Sequence, residues 1–281
     1  MSSDNEFLCF INGEPADSIL VSDRGLSYGH GLFETIKISN KIAPLLRYHL
    51  ERLTEGARAI GIACNEALLK KYFYQLLEMT PEDGVVKIIV TAGSGKRGYF
   101  YNKPNSTCYI LQWYPIDTNF SLPRAQGVSL KCCQHRLPIS PLLSGIKHLN
   151  RLDQVVARAE WEDEFYDGLM LNQDDYVVEC VSSNIFIFKS GTWITPEITE
   201  CGVAGVMRRY LMDDLFPSTG YIVKEVKLTV NDLLSADEVF ICNSIAGILP
   251  VLSVDSHCSW PRGNYTQKIQ KELYKVFPCY Q

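Results

Sequence analysis

The irregular order of its apolar runs constrains this chain most. Short stretches rich in β-branched residues, each the length of one strand, are broken by only a few segments with helical spacing. In the first half, strands are expected at Phe7 to Gly13, running into an Asn-Gly turn, and at Leu20-Val21, Thr35 to Ser39, Val85 to Thr91 and Thr107 to Tyr114. In the second half they are expected at Val128 to Cys133, Gly168 to Asn172, Tyr176 to Cys180, Asn184 to Lys189, Thr192 to Thr195, Tyr221 to Leu228 and Glu238 to Cys242. Leu46, Leu50, Leu53, Ala57 and Ile60 step by four, three, four and three, which predicts a helix over 46–60. A second helix is predicted over 66–78, ending before Thr80-Pro81. Leu149, Leu152, Val156 and Ala159 predict another, starting just past Lys147 and running to about Glu164. Further helices are expected from Gly202–Gly205 through Leu215 and over 264–276. Strands and helices do not alternate regularly, so the pattern excludes a doubly wound parallel sheet and predicts a mixed α/β (α+β) chain.

A length of 281 residues suits one large domain or two smaller ones. The polar, proline-flanked stretch Pro115 to Pro123 is the candidate boundary, giving a smaller N-terminal α/β domain over 1–115, a linker over 116–122 and a larger C-terminal domain over 123–281. A net charge of −5 argues against a nucleic-acid partner, although a local basic pocket for an anion remains compatible with it. No apolar run reaches the roughly 18 residues that a membrane span needs. The start carries no secretory pattern, and the ten cysteines form no CxxC pair. No metal site is expected, and free thiols in a reducing cytoplasm are the simplest reading.

Several residues carry chemistry. Gly25 to Gly31 is dense in glycine, which signals tight turns or close approach to a ligand, a plain loop being the alternative. Gly93-Ser94-Gly95-Lys96 resembles part of a phosphate loop, but Val90 and Arg97 stand where that motif needs glycine and Ser or Thr, so the motif fails. Lys147 is placed at a helix start. Glu179 lies near a strand end, Gly202–Gly205 precede a helix whose first N–H groups can bind an anion, and Asn243-Ser244 offer donors at another strand end. A lysine to form an imine, a carboxylate to pair with a pyridinium nitrogen, and a helix start plus arginine for a phosphate together describe a pyridoxal phosphate site. Buried, hydrogen-bonded polar groups at element ends are the alternative, and Arg52 beside its apolar stripe is read as solvated.

Gly145-Ile146-Lys147-His148-Leu149-Asn150-Arg151-Leu152 and Val177-Val178-Glu179-Cys180 through Asn184 resemble the fold type IV pyridoxal phosphate enzymes. That family contains branched-chain aminotransferases, D-amino acid aminotransferases and 4-amino-4-deoxychorismate lyases. The resemblance spans nearly the whole chain through Phe10–Gly13, Val21–Gly25, Gly31–Thr35, His49–Leu53, Gly202–Arg208 and Cys242–Ser244. The Lys-His-Leu-Asn-Arg-Leu form and Gly93 to Tyr99 look most like the lyase branch. The family fold this implies is two-domain and D-amino acid aminotransferase-like, with a barrel-like sheet in the larger domain.

The resemblance implies a role for each matching residue. Lys147 matches the Schiff-base lysine, Glu179 the partner of the ring nitrogen, and Arg52 the phosphate arginine. The amides of Val206 and Met207 and the Ser244 hydroxyl match the other phosphate donors, and Asn184 falls with them among the cofactor-binding residues. Asn150 and Arg151 match pocket-lining positions. Arg97 and Tyr99 fall where relatives bind a substrate carboxylate, which suits a small anionic substrate. Thr35 is a candidate assistant in proton transfer to the leaving enol. The implied reaction converts aminodeoxychorismate to p-aminobenzoate and pyruvate, with a D-amino acid or branched-chain aminotransferase as the alternative. A homodimer is implied as well. One departure stands out: Ala92 occupies a position where some lyases carry arginine.

Overall fold

A computed structural model describes residues 8–101, 106–116, 118–255 and 258–281. By their internal contacts they divide into two units, one of residues 1–118 and 146–150, the other of 119–145 and 151–281. A single division at 116–122 does not capture this. Ile146–Asn150, Lys147 among them, cluster with the first unit because they pair along the edge of one of its strands.

The first unit contains β1 (Leu8–Ile11), β2 (Glu14–Pro15), α1 (Arg24–Tyr28), β3 (Gly31–Ile38), α2 (Leu46–Ala59), α3 (Glu66–Met79), β4 (Gly84–Thr91) and β5 (Cys108–Tyr114). Its antiparallel sheet runs β2-β1-β5-β4-β3. The apolar faces of α2 and α3 supply Leu50, Leu53, Ala57, Leu69, Phe73 and Leu76, which pack with Ile36, Val86, Ile88 and Leu111 from the strands. Both helices form where their spacing predicts. Asn65 caps α3 by accepting from the N–H of Leu68.

Two expectations fail here. Leu20 and Val21 form no strand, and they are 69% and 86% exposed. The glycine-rich stretch holds a short helix, α1, because Asp23 caps its N-terminus through the Gly25 N–H and Gly29 ends it in the left-handed region.

The second unit contains α4 (Ser121–Gln126), β6 (Val128–Leu137), α5 (Leu152–Arg158), β7 (Asp167–Asn172), β8 (Tyr176–Cys180), β9 (Asn184–Lys189) and β10 (Thr192–Pro196). α6 (Val206–Tyr210), a π-helical turn over Leu211–Leu215 and α7 (Phe216–Thr219) then form one continuous helical run. After these come β11 (Val223–Val226), β12 (Leu228–Thr229), α8 (Val230–Leu234), β13 (Glu238–Asn243), β14 (Gly247–Val254), β15 (Cys258–Ser259) and α9 (Asn264–Val276). The sheet runs β11-β10-β9-β13-β14-β6-β7-β8-β12, with β15 paired to β14. Three pairs are parallel (β10/β11, β14/β6 and β6/β7), and the other pairs are antiparallel.

The helix expected just past Lys147 begins only at Leu152 and spans seven residues. Its supposed core stripe faces outward, with Leu152 76% and Val156 52% exposed, and the buried residue of the helix is Ala157, off that stripe. His148 bridges Leu32 of β3, and Lys147 and Leu149 bond to the same strand, so Lys147 stands beside a strand rather than at a helix start. The chain leaves the first unit between Thr118 and Asn119, inside the stretch 116–122, and α4 begins at Ser121.

Candidate active site

Alternation along β3 places the candidate residues of the first unit. Leu32, Glu34, Ile36 and Ile38 share the buried face, so a carboxylate sits among three aliphatic side chains. Burial of that carboxylate is tolerable only if it is paired. Two residues of α2, one turn apart, pair it: His49 Nδ1 lies 2.6 Å from Glu34 Oε2, and Arg52 donates from Nε to Oε1 at 2.8 Å and from Nη2 to Oε2 at 2.5 Å. Burial alone would push the Glu34 carboxyl up. The charges and hydrogen bonds of Arg52 and His49 outweigh it and hold the group at about 2. His49 moves down, because its burial outweighs the pull of Glu34, and the neighbouring charges of Arg52 and Lys147 push the same way. The triad is therefore a carboxylate, a guanidinium and a neutral imidazole. Arg52 is not solvated: its side chain is 11% exposed, and Glu34 grips it.

Lys147 is fixed through its backbone. Its carbonyl accepts from Phe33 N–H at 3.0 Å, and Leu149 N–H donates to the Gly31 carbonyl, also at 3.0 Å. Its Nζ lies 4.2 Å from the centroid of the Phe33 ring, a cation–π distance. Thr35 follows Phe33 on the same face of β3.

Asn150 is exposed and donates to the Gly29 carbonyl. Gly29 has φ +62°, a left-handed conformation that glycine adopts without strain, and a Cβ there would push aside the exposed Asn150 amide. Arg97 and Tyr99 are exposed on the loop after β4. Arg24 ties that loop down by donating to the carbonyls of Gly98 and Tyr99. Ala92 is fully buried in the core of this unit, so the position holds no room for an arginine without repacking.

In the second unit the candidate residues are held largely by main chain. Glu179, 4% exposed on β8, accepts from Val203 N–H at 2.9 Å. Asn184 donates to the Val203 carbonyl at 3.0 Å, so that one residue is held from both sides by side chains. Gly202 has φ +87°, and a Cβ there would meet Val178 Cγ1 at 2.7 Å and the Glu179 carboxyl at 3.5 Å. Gly145 joins the same turn, donating to the Gly202 carbonyl and accepting from Ala204 N–H.

Gly205 caps the helical run with no side chain, and a Cβ there would lie 1.9 Å from Asn184 Oδ1. Val206 and Met207 are 3% and 1% exposed, yet their amides, the first of that run, have no acceptor among the described residues. Buried amides left open at a helix start, with glycine at the cap, make a cradle for an anion. Ser244 follows β13, where Asn243 Oδ1 accepts from the N–H groups of Ile245 and Ala246 and Tyr280 donates to the Ser244 carbonyl. Arg151 stands at the N-terminus of α5 in this unit.

The sequence expectations had not singled out Glu34, His49 or Val203. For Glu34 a signal existed, a charged residue in phase with Leu32, Ile36 and Ile38. Val203 contributes only backbone and leaves no trace in side-chain pattern.

The chain is similar to known proteins over nearly its whole length. The family described as amino-transferase class IV matches residues 31–254. The chain is 33% identical over 268 residues to the aminodeoxychorismate lyase of Vibrio harveyi, covering 94% of this chain and 98% of that one. It is 30% identical over 261 residues to a D-alanine aminotransferase of Bacillus licheniformis, covering 90% and 89%. Among solved structures, the 4-amino-4-deoxychorismate lyase of Pseudomonas aeruginosa is 42% identical and superposes with a TM-score of 0.93 over 96% of this chain and 99% of that one. The chain belongs to the amino-transferase class IV family.

Proposed function

We propose that this protein is a pyridoxal phosphate-dependent lyase that converts 4-amino-4-deoxychorismate to p-aminobenzoate and pyruvate. The reading is carried by the 42% identity, over 96% of the chain, to the Pseudomonas aeruginosa lyase. The donor chemistry fits the cofactor. The open amides of Val206 and Met207 and the Ser244 hydroxyl suit its phosphate, with Arg52 as the charged partner that Glu34 keeps in place. Glu179, an anion with a main-chain donor already on Oε2, suits its ring nitrogen, with Asn184 holding the adjoining turn. When bound, pyridoxal phosphate draws electrons from the amine-bearing carbon of the substrate and so makes its proton removable.

The chain's own residues then do the rest. Lys147 is the residue that would hold the cofactor. Its Nζ accepts the proton from the amine-bearing ring carbon, acting as general base. The C–O bond to the enolpyruvyl group breaks, the ring becomes aromatic, and Lys147 Nζ returns the proton to the departing enolpyruvate, with Thr35 assisting. Arg97 and Tyr99 recognise the substrate's carboxylates, and Asn150 and Arg151 line the pocket.

The 30% identity to a D-alanine aminotransferase supports a second reading, transamination of D-amino acids or branched-chain amino acids with the same lysine and glutamate. One experiment separates the two. The purified enzyme is given aminodeoxychorismate and, separately, D-alanine with 2-oxoglutarate. Pyruvate and p-aminobenzoate in equal amounts from the first supports the lyase; fast transamination without p-aminobenzoate contradicts it.

The same reading includes a homodimer in the cytoplasm. Leu20, Val21, Leu26, Tyr99 and Phe100, all more than half exposed on the first unit, are apolar surface that a second copy would cover. Light scattering giving twice the 31.8 kDa chain mass is the expected result. Ten cysteines without a disulfide suit a reducing compartment. No helix of the described residues is long and apolar enough to cross a membrane.

A further inference from the structure

A second concentration of positive charge lies wholly within the second unit, in a cavity of about 220 Å³ between α4 and α9. Gln267, Gln270, Lys271 and Tyr274 repeat at helical spacing and present one face of α9 to it, while Arg124 comes from α4 and Arg262 from the approach to α9. The lining contains no aspartate or glutamate, in a protein whose net charge is −5.

Arg124 is 6% exposed and spends Nε on the Ala246 carbonyl and Nη1 on the main-chain oxygen of Gln281, the last residue of the sequence. Its Nη2 is shut off from solvent without a hydrogen-bond partner. Gln270, 3% exposed, holds the Arg124 carbonyl and so fixes the backbone beneath it. Neither Arg262 nor Lys271 forms an ion pair among the described residues, whereas Lys275, one turn further along α9, holds Glu272. Even with a carboxylate at Gln281, three cations leave a positive surplus in the lining. A buried guanidinium with no acidic side chain beside it, next to two cations outside any ion pair, favours an anion in the cavity. Tyr274, its hydroxyl pushed up by burial while Arg124 and Arg262 draw it back, adds an aromatic wall next to those charges.

We propose that this cavity is a binding site for a small aromatic carboxylate, its charge met by Arg262 and Lys271 over Arg124 and its ring packed on Tyr274. The site belongs to the second unit alone and involves none of the residues assigned to the reaction. The test uses the holoenzyme with 4-fluorobenzoate, followed by ¹⁹F NMR, and crystals soaked in 4-iodobenzoate. The expected result is iodine density in this cavity and a dissociation constant raised tenfold or more in an Arg262→Ser/Lys271→Ser variant that keeps wild-type turnover. Unchanged binding by that variant, or iodine density only elsewhere, would overturn the proposal. Displacement of the fluorobenzoate by equimolar inorganic phosphate would overturn the assignment to an aromatic acid.

Discussion

The two units hold their candidate site residues with different materials. In the first unit, charge is placed by side chains: Glu34, His49 and Arg52 lock one another in a buried triad, and Lys147 stands over Phe33. In the second unit, one carboxylate, Glu179, is held by a main-chain amide, and the anion cradle consists of amides at a helix start with glycine at each close approach. The first arrangement fails when a side chain is removed. The second is deaf to most truncations of exposed side chains and fails when a Cβ is added.

Substitutions in the two units should therefore break them in opposite ways. The largest effect is expected from Lys147→Ala, which removes the general base and should lower lyase turnover by about 10³-fold or more while the melting temperature stays near wild type. Steady-state kinetics beside thermal unfolding checks both parts. Glu34→Gln comes next. It leaves Arg52 without its counter-charge, and the cost of breaking a buried pair is about 3–5 kcal/mol, to be read from denaturant unfolding.

The same residue sets a pH dependence. Glu34 titrates at about 2 in the folded chain against an ordinary 4.5, so its contribution is complete above 4.5 and is lost as pH falls toward 2. His49, depressed from 6.5, has the same sign: the unfolded chain takes up its proton first, and stability begins to fall below 6.5. Asp167, raised by burial, acts the other way, so wild type should be compared with Glu34→Gln, in which Asp167 cancels. The acid limb should be shallower in the variant. Gly202→Ala should cost the least, about 1–3 kcal/mol, because the Cβ meets Val178 in a backbone conformation that side chains disfavour. It should weaken cofactor binding more than Ser182→Ala, a change on the neighbouring loop that takes away a side chain and adds none.

Periodicity was readable in the sequence wherever an element has one wet and one dry face. α2, α3 and α9 stand within one or two residues of their apolar stripes, and β4, β5, β8 and β9 follow their β-branched runs. It failed where context overrides local pattern. β14 lies in the middle of the larger sheet but contains Pro250, which reads as a strand breaker. The apolar positions of α5 looked like a core stripe, yet Leu152, Val155 and Val156 face outward.

For the site, motif order identified the candidate lysine, glutamate and arginine. What fixes them is long-range: Glu34 gripping Arg52 from another element, and Val203 N–H bound to Glu179. Such pairings depend on how strands and helices meet, and no single stretch of sequence contains them.

The central claim is that Lys147 carries the cofactor. Borohydride reduction of the purified holoenzyme, followed by peptide mass mapping, tests it most directly. The account predicts one phosphopyridoxyl group, on the peptide containing Lys147. A group on any other lysine, or none at all in protein that retains lyase activity, would contradict it.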